Sequence, residues 1–247
     1  MSTERNGNGH IFNAGFALAV ALVLSSIVIG WSYVHTKKSD QTITVTGSAR
    51  KRIKSDLVIW KAGVSYQGAN AQDAYKSLQD SVPRIKQYLI SKGVPDNEIT
   101  ISSVSSTMLH GKDKDGNETE SITGYSLHQE LQVRSNDVDR IEKISREATE
   151  LISQGILLES SAPEYYYTKI ADLKIEMLAE ASKDAKVRAQ QVASSTGSQI
   201  GSVRSAKMGV MQITAADSNE VSDAGINDTS SLEKDITAVV NVSFSVD

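Results

Sequence analysis

Hydrophobic positions along the chain change period several times, and each change marks an element. From Ile11 to Val34 there is no charged residue, and the run is apolar almost throughout. About 20 such residues cross a bilayer as one helix. Trp31 and Tyr33 stand at its end, as interfacial aromatics do. The period then becomes two. QTITVTGSAR (41–50) sets Ile43 and Val45 on one face, a strand in which Gly47 marks a bulge or bend. A second strand follows over 53–67, with Leu57, Ile59, Ala62 and Val64 as core.

Helical spacing appears next. Ala74, Leu78, Ile85, Leu89 and Ile90 share a face, Asn70 is the expected N-cap, and Gly93 ends the run. Pro83 lies inside it and predicts a kink or break. Strands are expected over 97–109 and 122–133, joined by a loop whose Asp115-Gly116 reads as a hairpin turn. Ser135 or Asn136 caps a helix over 137–153, which Gly155 ends, and 156–167 reads as a strand. The longest helical signal outside the apolar N-terminal run follows, with Thr168 as N-cap and Gly197 past its end. Residues 200–213 read as extended and 214–233 as a polar, acidic, mobile loop. Ile236, Ala238, Val240, Val242, Phe244 and Val246 alternate in a closing strand.

These elements predict an α+β fold: an antiparallel-rich mixed sheet with three packed helices, preceded by one N-terminal transmembrane helix. The expected domains are a disordered start (1–10), a transmembrane anchor (11–34), a tether (35–40) and one α+β domain (41–247). A cleaved signal peptide is the alternative to an anchor. It needs a positive start and a small-x-small site, and the chain offers Arg5 alone and no Ala-x-Ala after the apolar run. Lys37, Lys38, Arg50, Lys51 and Arg52 follow the apolar run against Arg5 before it, which by the positive-inside rule favours a cytoplasmic domain.

Composition removes several classes of function. The net charge of −4 gives no basic field for nucleic acid. The absence of cysteine excludes disulfides, thiolate catalysis and cysteine-based metal sites. Asp113 to Glu118 begins like a calcium loop, but position six is Glu118 and position twelve is Gly124, where Gly and Glu are required. His10, His35, His110 and His128 are scattered; His110 and His128 face each other only if the hairpin register allows, and two histidines do not make a zinc site. No catalytic residue, cofactor or metal is expected, and the chain is read as no enzyme.

The last long helix carries alanines at 181, 185, 189 and 193, small side chains that let it approach its support closely. Asp184 and Arg188 are spaced as an i,i+4 acid–base pair, read as a structural tie. Ala181, Ala185 and Ala189, with Tyr165 and Tyr167 of the Tyr165-Tyr166-Tyr167 run, are also a possible interface, since tyrosine is enriched at interfaces.

Three segments resemble the SIMPL-domain family of bacterial periplasmic immunogenic and oxidative-stress defence proteins. They are ITVTGSAR (43–50) with Asp56, the stretch from Tyr125 to Val133 with the helix after it, and AEASKDAKVRAQQVASSTGSQIGSV (179–203). The resemblance implies an α+β domain in the cell envelope, oligomeric assembly, and a link to envelope or oxidative stress, with no catalytic residues to carry over. It places the C-terminal domain outside the inner membrane, against the charge flanks. The expected function is a membrane-anchored, non-enzymatic envelope protein. Its expected partners are further copies of itself, the bilayer through 11–34, and an envelope protein, with no nucleic acid. The alternative is a periplasmic small-ligand or ion-binding module.

Overall fold

The computed structural model describes residues 7–38 and 41–246, with the side chains of 7–14, 17 and 33–38 left aside. The expectations for 1–6 and 39–40, and those for the side chains of His10, Tyr33 and His35, lie outside the described residues.

Helix α1 (Gly7–Lys38) is longer than the apolar run at both ends. Positions 7–10, expected to be disordered, and 35–38, expected to be tether, are helical. Once a helix is nucleated, each added residue gains a hydrogen bond, so it propagates past its apolar part. Every described side chain from 18 to 32 is exposed. Among the described residues, no helix is long and apolar enough to cross a membrane.

Strand β1 (Thr42–Lys54) runs on past Gly47, and β2 (Leu57–Gly68) begins after a break at Ser55 and Asp56. Helix α2 (Ala71–Ser91) is capped by Asn70, whose side chain accepts the Asp73 N–H at 3.0 Å. Pro83 does not break it. Pro83 and Gln79 are both exposed, so the carbonyl freed by the missing N–H faces water. A 3₁₀ turn and β3 (Ile99–Ile101) lead to β4 (Ser105–Lys112), so the expected single strand is in two pieces. The hairpin turn carries Gly116 at φ 88°, and β5 (Glu118–Ser135) starts earlier than the pattern predicts.

Asp137, not Ser135 or Asn136, caps α3 (Val138–Glu147) by accepting the Arg140 N–H. The expected single helix stops near Ala148, and α4 (Glu150–Ser153) is a separate turn. The strand expected over 156–167 is interrupted by Pro163 into β6 (Leu158–Ser160) and β7 (Glu164–Tyr166). Helix α5 (Ile170–Ser195) is followed by Gly197 at φ 76°, then β8 (Ile200–Met208), β9 (Gln212–Ala215) and β10 (Glu233–Val246).

The predicted single mixed sheet is two antiparallel sheets. One is ordered β3-β5-β2-β6, with β4 also on β5 and β7 also on β2. The other is ordered β1-β10-β8, with β9 also on β10. Partners in β1 and β10 run in opposite directions: 41 with 246, 44 with 243, 46 with 241. Parallel pairing among the described residues is one isolated bridge, Ile213 to Asn227.

By compactness the chain divides into two units: residues 1–49, 178–209 and 239–247, and residues 50–177 and 210–238. In the second unit, β2 and β5 pair without interruption from Val58–Ser135 to Gly68–Tyr125. The inward face of this pair meets α2, α3 and α4 in one core of Val58, Trp60, Leu78, Ile85, Leu131, Ile141 and their neighbours. The opposite face is half-buried and polar, with Lys61, Ser65, His128, Glu130 and Gln132. This is the one-sided burial usual for antiparallel sheets. In the first unit, the C-terminal part of α5 lies against β1 at Gly47.

Candidate functional site

A dense charged group lies in the second unit, where β1 ends. The alternation of RKRIK puts Arg50, Arg52 and Lys54 on one strand face. Asp235, at the start of β10, is buried to 3% side-chain exposure and meets both arginines. It accepts from Arg50 Nη2 at 2.6 Å, from Arg52 Nε and Nη2 at 3.1 Å each, and from the Asp217 backbone N–H at 2.9 Å. Arg52 also donates to Asp217, a non-glycine residue at φ 64°. The Arg52 guanidinium, then the Asp217 N–H and Arg50, hold the Asp235 carboxyl far below the usual carboxylate range. A carboxylate with its lone pairs occupied by four donors is a tie and not a proton-transfer group. The loop over 214–233, predicted to be mobile, is fastened here.

Lys234 is buried beside it in sequence. Its amine donates to the carbonyl of Tyr165 at 2.6 Å and to that of Asp228. Burial pushes its pKa down, against the nearby Asp228 charge. Sequence reasoning passed over Lys234, Asp235 and Arg52. The one available signal was Lys234, a charge at a β10 position that the alternation through Ile236 and Ala238 assigns to the interior.

In the first unit, Asp184 accepts the Arg188 Nε at 2.7 Å and the backbone N–H of Ser48 at 2.8 Å. The Ser48 N–H, then Arg188, lower its pKa. The structure therefore adds to the predicted pair a third member, which belongs to an edge of β1. Ala181, Ala185 and Ala189 are 0% exposed. A methyl at Gly47 would stand 2.2 Å from the Ala181 carbonyl oxygen and 2.4 Å from the Ala185 nitrogen. Ala181 and Ala185, read as part of a possible interface, pack on β1 at Gly47 within this unit, and Ala189 is buried with them. Of the tyrosines read with them, Tyr165 is buried in the core of the second unit and Tyr167 is half-buried.

The sequence model of the family described as SIMPL, a protein of unknown function (DUF541), matches residues 43–244. The chain belongs to the SIMPL family. No curated protein matches the sequence.

The open polar face of the SIMPL domain holds a Ser65–His128–Glu159 group. Ser65 Oγ lies 3.0 Å and Glu159 Oε2 3.6 Å from the same ring nitrogen, His128 Nδ1. A nucleophile relay needs the hydroxyl and the carboxylate on opposite ring nitrogens, so this group is not arranged as one. His110 is opposite Ile122 and His128 opposite Ser105, so the two histidines do not face each other. In the hairpin turn, Asp113 Oδ1 accepts the N–H groups of Asp115 and Asn117, both at 2.9 Å. That oxygen closes the turn. Among the described residues, no three His, Cys, Asp or Glu side chains are grouped to hold a metal ion.

The strand edges remain. The edge carrying β6 and β7 consists of three-residue strands separated by Pro163, β3 is equally brief, and β9 has four residues. β1 gives its Ser48 N–H to Asp184. β8 carries Arg204 and Lys207. These are the usual ways of closing an edge to other chains: short strands, proline, covering groups and cations. Over 105–109, β4 has neither proline nor cation, and its one lysine, Lys112, stands beyond a shift of register.

Proposed function

We propose that this SIMPL-family chain is a single-pass, membrane-anchored cell-envelope protein that acts by self-association and not by catalysis. Its α+β domain (41–247) lies outside the cytoplasmic membrane and is held there through 11–34. The observation that carries the anchor is the exposure of α1. Phe16 is 68% exposed and Trp31 70%, and no described side chain between 18 and 32 is buried. A contiguous apolar surface of this kind is unfavourable in water and calls for cover. The uncharged run of 11–34 has the length a bilayer requires. Binding without reaction is supported by the Asp235 carboxylate, which is taken up by internal ties. The outward placement rests on the family resemblance and opposes the flanking charges.

The test is fractionation of the full-length protein, followed by protease treatment of intact spheroplasts. Retention in membranes after alkaline wash, with digestion of the domain from outside, is the expected result. Release by the wash overturns the anchor. Protection until lysis overturns the orientation.

A further inference from the structure

Strand β4 combines three features. First, residues 99–111 contain no Asp, Glu, Lys, Arg or Pro. Second, β4 is exposed on both faces, with Met108 at 55% and Leu109 half-buried. Third, its outer edge pairs with no other strand among the described residues. β5 meets β2 only from Tyr125 onward, so its 118–124 part pairs with β4 alone. The end of this hairpin is a two-stranded ribbon, a form that is marginal in water without a further strand. Ile122 is exposed on it.

The register is regular from Ser105–His128 to Leu109–Gly124 and shifts only beyond Leu109. Residues 105–109 therefore present an undistorted row of backbone donors and acceptors. An added strand satisfies such a row through main-chain hydrogen bonds, and its side chains decide which strand is accepted. A second copy of β4 fits. In an antiparallel pair about a two-fold axis at Thr107, Ser106 faces Met108 and Ser105 faces Leu109. Small side chains then meet large ones, and no charge meets a like charge. The same operation on β8, about its middle residue, sets Arg204 of one copy against Arg204 of the other, and like charges directly opposite are unfavourable across strands.

We infer that the outer edge of β4 is the self-association surface, pairing antiparallel over 105–109 with β4 of a second copy. This rests on the self-associating function proposed above and names its contact. The contact is isologous and closes as a dimer, joining the two six-stranded sheets into one.

The chain has no cysteine, so single cysteines report the contact cleanly in the full-length protein in its native membrane. A disulfide needs Cα atoms about 4.4–6.8 Å apart, and facing antiparallel residues stand about 4.5–5.5 Å apart. Thr107→Cys is expected to give the highest yield of crosslinked dimer, with yields falling toward Ser105→Cys and Leu109→Cys. Ser202→Cys on β8 is expected to give none. Thr107→Lys and Thr107→Glu alone each weaken dimerisation about tenfold or more, and co-expression of the two restores it, because facing like charges repel and opposite charges attract. Thr107 is exposed, and circular dichroism of both variants checks that they fold. A wild-type chain that is monomeric in the membrane removes self-association and this contact together. A wild-type oligomer with no β4 crosslink, or with folded Thr107 variants that assemble normally, leaves self-association standing and removes β4. Crosslinking of Thr107→Cys to a different protein alone likewise overturns pairing between copies.

Discussion

Asp235 shows how much one side chain can hold. It is closed to solvent and bound by Arg52, Arg50 and the Asp217 N–H. Its folded pKa is depressed, chiefly by Arg52. Its contribution to stability is therefore complete above the unfolded value of about 3.9 and lost as pH falls toward the folded one. Urea midpoints measured from pH 7 down to pH 2 are expected to fall steeply in the acid limb. Asp235→Asn is expected to flatten that limb and to cost about 1.5–3 kcal/mol at pH 7, the usual range for hydrogen bonds to a charged group. An unaltered acid limb in that variant contradicts the assignment. None of this was legible in the sequence, because Arg52 and Asp235 are far apart along it and neither belongs to a motif. What the sequence did contain, the Asp184–Arg188 spacing, is local, and local geometry follows from the helix repeat alone.

Elements were legible where one period ran long enough to dominate. α2, α5 and β10 lie where alternation or helical spacing puts them. The failures sit where a single residue interrupts a period: Pro163 splits a strand, while Pro83 leaves α2 whole because the carbonyl it frees faces water. A sequence pattern does not distinguish these outcomes, since they depend on which side of the element is wet. The Asp184 tie is an element-scale device as well. It occupies a backbone donor on the β1 edge, which turns a helix side chain into a cover for a strand. Asp184→Ala is therefore expected to lower the melting temperature more than Arg188→Ala, because only the first removes the Ser48 partner. The second removes a half-exposed i,i+4 pair, a contact of small worth. Equal melting temperatures for the two variants contradict this ranking.

For the molecule as a whole, periodicity indicated an α+β domain but not its division into two units, because β1, α5 and β10 each begin in one unit and end in the other. The family assignment, by contrast, was legible from short segments spread across the chain, and the matched span of 43–244 contains all of them. The close approach of Gly47 to α5 also sets how the first unit responds to changed side-chain volume. Ala181 and Ala185 leave no clearance there, so Gly47→Ala or Ala185→Leu forces backbone apart at a cost of about 1–3 kcal/mol. Replacing those alanines with glycine costs helix stability of about 1 kcal/mol instead. In the second unit Leu78, Ile85 and Leu131 are fully buried, and there shrinkage is what hurts: Leu78→Ala or Ile85→Ala is expected to cost about 2–5 kcal/mol. A scan of all substitutions, read by protease resistance, should therefore separate the two units by the sign of their size dependence. Sequences drifting under selection therefore meet the wall from opposite sides, by lengthening a side chain at Gly47 or Ala185 and by shortening one at Leu78 or Ile85.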